Sequence, residues 1–281
     1  MTSRSGSLGL GIGWRPELAY FIDRRADFGF VEVVAENLNG GGPIPQPLQQ
    51  LRERGVQIIP HGVSLSLGGA ERVDQRRVDH LARLAEKLES PMVSEHIAFV
   101  RAGGVEIGHL TPLPRTRQAL EVLIENVRMA KRTLPVPLAL ENIAALFDWP
   151  QQEMEEWQFV TEVLEQTDCL LLLDISNSYA SAFNRGIDPT VDLRRAPLER
   201  LAYVHMGGGV EREGVIHDTH SDPVLPGALE LLSRLCEIAR PPGVMLEQDD
   251  HFPPPEQLSA ELDRIRQAMT GRIARPVQYA A

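Results

Sequence analysis

His205 closes a short apolar run, residues 202–206, and is followed by Gly207, Gly208 and Gly209, then by Asp218 and His220. The glycines let the backbone turn sharply without a Cβ clash. Asp218 and His220 are two apart, and in an extended segment that spacing points both side chains to one face. Two imidazoles and a carboxylate are good ligands for a borderline divalent metal. Alone, the stretch reads equally well as a polar loop carrying surface histidines. The same residue types recur where other apolar runs stop: His61, the Glu95-His96 pair, the Glu141-Asn142 pair, Asp174 and Glu247. Asn177, Asp218 and His220 are expected on the loops that follow. Chance placement would scatter these residue types over exposed helix faces.

Each position also has a plainer reading. His61 before Gly62 fits a capping or core histidine, and Glu247 fits an ion pair. Glu141 and Asp174 fit carboxylates at helix N-termini, stabilised by the macrodipole. So many coincidences on one rim are harder to assemble than one shared site. Glu141, Asp174, Asp218 and Glu247 would crowd four negative charges into a partly dry pocket. Such crowding forces protonation or unfolding unless cations balance it. Few arginines are placed to help, so two or three divalent ions are expected, with folding coupled to their occupancy.

Glu95 has the opposite strand parity to His96, so His96 alone is expected to face inward. His80 falls off the apolar face of its helix and is expected in solvent, and His217 points away from the Asp218 side. His109 and His251 fall in loops able to cover the mouth of a barrel. Glu95, Asn142 and His109 are the candidates for touching substrate. The chain contains no Gly-rich phosphate loop, CxxC pair or GxSxG elbow.

The elements that must hold these residues follow from hydrophobic patterning. Apolar runs at residues 8–14, 30–34, 57–61, 92–97, 138–142, 169–174, 202–206 and 244–247 alternate with amphipathic stretches. Val78, Leu81, Leu84, Ala85 and Leu88 recur at helical spacing, as do Leu120, Leu123, Ile124, Val127 and Ala130. Further helices are expected at residues 16–25, 45–54, 152–166, 226–239 and 255–269, several with Pro in the first turn, where its missing N–H costs nothing. Eight strand–helix units in this length predict a parallel (β/α)₈ TIM barrel as a single domain over residues 8–270. An open doubly wound sheet is the alternative. Residues 1–7 are expected to be disordered, and residues 271–281 to form a mobile tail.

The composition, 43% hydrophobic and 24% charged over 281 residues, is that of an ordinary globular protein. A net charge of −11 with no Lys/Arg-rich block argues against nucleic acid or anionic lipid as a partner. Cys169 and Cys236 sit among apolar neighbours and read as buried thiols in a reducing cytoplasm. No signal-peptide pattern opens the chain and no apolar run is long enough to span a membrane.

With these residues in hand the chain resembles the multinuclear non-haem iron-dependent oxidative enzymes, the MNIO or MbnB-like family. The resemblance spans residues 8–269. It rests on Gly-Ile-Gly-Trp-Arg-Pro at the start, Pro60-His61-Gly62-Val63-Ser64-Leu65, Ser94-Glu95-His96 and Leu140-Glu141-Asn142. Leu173-Asp174-Ile175-Ser176-Asn177, His205-Met206-Gly207-Gly208, Asp218-Thr219-His220 and Leu246-Glu247-Gln248-Asp249 complete it. The resemblance implies a TIM barrel with two or three iron ions of mixed ferrous and ferric state. His61 and His96 would bind one, and Glu141 would bridge to a second held by Asp174, His205 and Glu247. Asn177, Asp218 and His220 would hold the third. Some relatives carry histidine where Asn177 stands, and an amide oxygen is a weaker iron ligand.

The resemblance further makes Asp249 a base or an orienting acid, and dioxygen the co-substrate. The substrate would be a ribosomally made precursor peptide, often modified at cysteine, with a small partner protein to deliver it. Zn²⁺ or Mn²⁺ could replace iron in purified protein. Two other readings remain: a Zn²⁺- or Mn²⁺-dependent hydrolase or isomerase of the xylose-isomerase-like or endonuclease-IV-like barrel type, and a non-catalytic metal-binding barrel.

Overall fold

The computed structural model describes residues 7–271. Residues 1–6 and 272–281, on which nearly all of the expected disordered start and mobile tail fall, lie outside the described residues. The chain begins β1 (Gly9–Trp14), α1 (Ala19–Asp23), β2 (Phe28–Val34), α2 (Gln46–Glu53), β3 (Gln57–His61), α3 (Gln75–Leu88) and β4 (Val93–His96). An antiparallel hairpin, β5 (Phe99–Ala102) and β6 (Val105–Thr111), precedes α4 (Arg117–Lys131) and β7 (Leu138–Glu141). Then come α5 (Glu156–Thr167), β8 (Leu170–Asp174), α6 (Ile175–Asn184), α7 (Pro189–Leu193) and β9 (Leu201–Gly207). A second hairpin, β10 (Gly209–Arg212) and β11 (Val215–Asp218), leads to α8 (Pro226–Ile238), β12 (Gly243–Glu247) and α9 (Pro255–Met269).

The eight longer-range strands close in the order β1-β2-β3-β4-β7-β8-β9-β12, with β12 pairing back to β1, all parallel. The expected (β/α)₈ barrel is therefore the architecture, and the open sheet is not. Local chemistry sets the helix limits. Asp74 caps α3 by accepting from Arg76 N–H, Glu89 ends it in the left-handed region at φ 51°, and Thr116 caps α4 through Ala119 N–H.

The β5–β6 and β10–β11 hairpins, α6 and α7 escaped the patterning. The β5–β6 hairpin lacks an apolar stripe because β6 is exposed along nearly its whole length. Helix α6 is hidden because it buries Ser176, Asn177, Ser178 and Ser181 where a periodic search looks for Leu or Val. Asn177 is thus in the first turn of a helix, and Asp218 ends a strand; neither lies in a loop.

Strand side chains alternate between the barrel lumen and the helix layer, and the two cores separate accordingly. Val31, Ile58, Val93, Leu138, Leu140, Leu171, Leu173, Val204, Val244 and Leu246 join the large core under the helices. Phe30, Ile59, Ala139, Leu172, Tyr203 and Met245 form a separate lumen plug with Leu8 and Met92. Two residues beyond these plug positions come Glu32, His61, Glu141, Asp174, His205 and Glu247, all buried. The lumen is a dry apolar floor with a polar layer stacked on it, the layered filling of a closed parallel barrel.

One side chain ties down residues 67–73 of the segment after His61. Asn126 of α4, 3% exposed, donates to the carbonyls of Leu67, Gly69 and Glu71 and accepts from Val73 N–H. Asn126→Ala should lower unfolding stability by about 3 kcal/mol, because it removes these bonds and leaves buried backbone groups unpaired. Urea denaturation reads the loss directly; a change under about 0.5 kcal/mol would show the segment to be held by other contacts.

Candidate metal centre

Strand register brings the polar layer to one height. His61 stands opposite Ser94, His96 opposite Glu141, and Asp174 opposite His205. Three groups of donor atoms result. In the first, Nε2 of His61 and Nε2 of His96 lie 3.6 and 3.4 Å from Glu141 Oε2. In the second, His205 Nδ1 lies 3.3 Å from Glu141 Oε1 and 3.1 Å from Glu247 Oε2, and Asp174 joins this set within 4.8 Å. Glu141 belongs to both. The third centres on His220, whose Nε2 is 3.0 Å from Asp218 Oδ1. Its Nδ1 is 3.1 Å from Asp249 Oδ2 and 3.5 Å from Glu247 Oε2.

Whether these residues suit cations is tested by the atoms they leave unpaired. Among the described residues, the buried side-chain atoms without a hydrogen-bond partner include Glu141 Oε2, Asp174 Oδ2, Asn177 Oδ1, His205 Nδ1, Asp218 Oδ1 and His220 Nε2. Buried polar atoms are normally satisfied, and orphans cost about 1–3 kcal/mol each. A cluster of unpaired carboxylate, amide and imidazole atoms facing one another suits divalent cations. Asp174 also serves as the cap of α6. Its Oδ1 accepts from Asn177 N–H at 2.7 Å, which leaves Oδ2 for the lumen. The helix-cap reading and the ligand reading of Asp174 are both met, by different oxygens.

The electrostatics agree. Burial raises Asp174 well above the usual carboxylate range, and the Glu141 and Asp218 charges push it further. Burial also works against the charges of Glu141 and Glu247, but neighbouring histidines hold both low. Burial alone would lower His96; Glu141 and Glu95 override it and push the imidazole up to about 9. His205 and His220 are driven up in the same way, by Glu32, Glu141 and Glu247 around the first and Glu247 and Asp218 around the second. Without cations, the acids of this layer are balanced by protonated histidines.

Glycine supplies room here, not the sharp turn expected of Gly207–Gly209. A Cβ on Gly207 would lie 2.4 Å from the His220 ring, and one on Gly208 would lie 1.5 Å from Asp222 O. Nor do Asp218 and His220 meet by sharing a strand face. The strand ends at Asp218, and His220 turns back at φ 48° with its N–H on Gly208 O.

Several expectations need correction. Glu95 does not face a substrate: it is buried, accepting from Leu65 N–H at 3.0 Å and from His96 N–H at 2.9 Å. Asn142 is likewise committed, donating to Asp174 O and Ser178 Oγ and accepting from Asp174 N–H. His80 is not free in solvent; its Nε2 lies 2.9 Å from Ala35 O. His109 is on strand β6 of the hairpin, exposed and outside the cluster. His251 does lie in a loop, between β12 and α9, exposed near Asp250.

Four further residues that the sequence patterning does not single out serve the site: Arg15, Glu32, Ser94 and Tyr203. Arg15, 8% exposed, pairs with Asp249 and reaches to 4.0 Å from Glu247, so an arginine does serve this site. Glu32, Ser94 and Tyr203 lie beneath the histidines. Glu32 was detectable, since it stands two residues beyond Phe30 on an apolar run.

Comparisons with known proteins bear on this barrel. A family model described as RiPP precursor modification enzyme MbnB/TglH/ChrH matches residues 9–270. A UPF0276 protein of Streptomyces avermitilis is 52% identical over 271 residues, 94% of this chain; the chain spans 55% of that relative's length. A UPF0276 protein of Caulobacter vibrioides is 35% identical over 261 residues, covering 92% of this chain and 93% of the relative. Among solved structures, a D-allulose 3-epimerase from Methylomonas sp. superposes with a TM-score of 0.60 at 12% identity, covering 97% of this chain and 100% of that one. A D-psicose 3-epimerase from Clostridium cellulolyticum H10 gives 0.57 at 15%, covering 93% and 99%. At such identities the epimerases show a shared barrel and nothing of the reaction. Matched from its first strand to the end of its last helix, the chain belongs to the MbnB/TglH/ChrH family of RiPP precursor modification enzymes.

Proposed function

We propose that this protein is a multinuclear iron enzyme that uses dioxygen to oxidise a ribosomally made precursor peptide, at a cysteine. The observation that carries the proposal is the set of orphaned buried donors in a lumen whose family modifies such precursors. His61, His96 and Glu141 would hold one iron. Glu141, Asp174, His205 and Glu247 would hold a second, and Asn177, Asp218 and His220 a third. Bound, a mixed-valence iron pair supplies a Lewis-acidic seat for a thiolate and the redox capacity by which dioxygen oxidises it.

The protein's own groups do the rest. The apolar floor of Phe30, Ile59, Leu172 and Met245 closes the lumen from below, so solvent and substrate share the upper mouth. Asp249, with its side chain 43% exposed, is gripped by Arg15 and takes the His220 Nδ1 hydrogen, which leaves Nε2 toward Asp218. Being at the rim, Asp249 is also the acid best placed to accept a proton from an entering peptide. A small partner protein would deliver that peptide, and the unpaired Cys169 and Cys236 suit a reducing cytoplasm.

Anaerobic reconstitution with iron, followed by a cysteine-containing peptide and air, should give a visible thiolate-to-ferric band and oxygen uptake coupled to peptide oxidation. Zinc- or manganese-loaded protein should be inactive. Full turnover with zinc and no oxygen uptake would instead establish a hydrolase or isomerase.

Glu141→Ala should strip metal from the first two groups together and cut turnover by more than about 100-fold, beyond what loss of a residue merely supporting a ligand costs. Asp218→Ala should lower metal content only at the third group. Equal metal loss in both variants would contradict the assigned bridging role.

Metal binding also has a defined pH dependence. In metal-free protein His96 is held up at about 9, so below that pH it must lose a proton before ligating. Metal uptake should release protons at pH 7, and affinity should climb as pH rises toward about 9 and fall on acidification. Calorimetry in buffers of different ionisation enthalpy measures the release; none at pH 7 would exclude His96 as a ligand.

A further inference from the structure

One buried cluster has no part in the scheme above. Glu32, Tyr203 and Ser94 lie inside the barrel, each no more than 2% exposed. Tyr203 Oη is 2.5 Å from Glu32 Oε2 and 2.7 Å from Ser94 Oγ. Ser94 Oγ is 2.9 Å from His61 Nδ1, and Glu32 Oε2 is 2.9 Å from His205 Nε2. The contacts link a histidine of the first donor group to one of the second, through the ring nitrogens that face away from Glu141.

Proton counting gives the chain a direction. A carboxylate oxygen only accepts, so the single proton of Tyr203 goes to Glu32. The contact between Tyr203 and Ser94 still needs a proton, because two oxygens at hydrogen-bond distance with none between them repel. Ser94 must supply it. With that proton spent, Ser94 can only accept from His61, which therefore carries its hydrogen on Nδ1. At the other end Glu32 accepts from His205 Nε2–H. In the neutral rings that ligation requires, the lone pairs therefore fall on His61 Nε2 and His205 Nδ1, the nitrogens 3.6 and 3.3 Å from the two oxygens of Glu141.

We propose that Glu32, Tyr203 and Ser94 are positioning residues: a one-way hydrogen-bond relay, anchored on one carboxylate, that sets the ligating nitrogen of His61 and of His205 together. The inference rests on the metal reading above. It assigns to a buried phenol, which touches neither His61 nor any ligand position of the first group, control over that group's affinity. In Tyr203→Phe the Ser94 hydroxyl loses its acceptor and turns to His61 Nδ1. Ligation through Nε2 then requires the His61 proton to displace it and strands a buried O–H.

Zinc alone is the probe, titrated into protein carrying isotopically labelled histidine. Long-range proton–nitrogen spectra report which ring nitrogen is protonated and when each ring is ligated. Loaded wild-type protein should show His61 protonated on Nδ1 and His205 on Nε2. Ser94→Ala and Tyr203→Phe, both small changes of volume, should each weaken zinc at His61 by about 10–100-fold while His205 keeps its protonated Nε2. Because both cut one chain, the double variant should be no weaker than the weaker single, within about 3-fold. Wild-type affinity in Tyr203→Phe, or losses that multiply, would overturn the relay while leaving the metal centre intact. Absence of zinc ligation by His61 and His205 in the wild-type protein would overturn the metal reading and the relay with it.

Discussion

Buried charge without solvent is the constraint on which this structure turns. Glu141, Asp174 and Glu247 occupy one layer of a barrel lumen, and water cannot reach enough of them to offset the cost of their ionisation. Some of their oxygens and two histidine nitrogens have no partner. A layer of this kind destabilises a fold unless something positive completes it. Protonated histidines can do so in the metal-free protein, and divalent cations can do so while freeing those protons. The acid-rich layer therefore links folding, proton balance and metal occupancy through the same atoms.

The layer is aimed by what surrounds it. Each histidine has its outer ring nitrogen against a fixed partner: Ser94 for His61, Glu95 for His96, Glu32 for His205 and Asp249 for His220. Such partners choose the tautomer and hold the ring plane, which is what a preorganised metal site requires. The residues that look expendable from their chemistry, such as Asn142 and Gly207, matter by clamping and by leaving space. Asn142 ties β7 to the start of α6, and Gly207 lets the His220 ring approach the end of β9.

Sugar epimerases share this barrel at 12–15% identity. The comparison illustrates why the fold does not name the reaction: a parallel barrel gathers whatever stands at its strand ends, and the chemistry depends on those side chains alone. Here neighbouring donor groups share Glu141 and Glu247 within one lumen. That sharing is the feature to which a multinuclear reading answers.

Alternation of apolar runs with helical stripes was enough to determine the eight-stranded barrel, since hydrophobic periodicity is local and a closed parallel sheet needs each strand followed by a helix. The ends of those runs likewise identified His61, His96, Glu141, Asp174, His205 and Glu247 as one set. Residue order alone left open what the third dimension decides. Helix α6 was invisible because serines and an asparagine make up more than half of its buried residues, and β6 because it buries almost nothing. Glu95 and Asn142 looked like free polar groups until their backbone partners, some 30 residues away, came into place. Arg15 and Asp249 are 234 residues apart and meet only because β1 and β12 close the barrel. Glu32 lay open to period-two counting, yet its partners His205 and Tyr203 sit three strands away around the ring, on β9. No local pattern can encode such a contact; it exists because opposite walls of one lumen are near enough to share a proton.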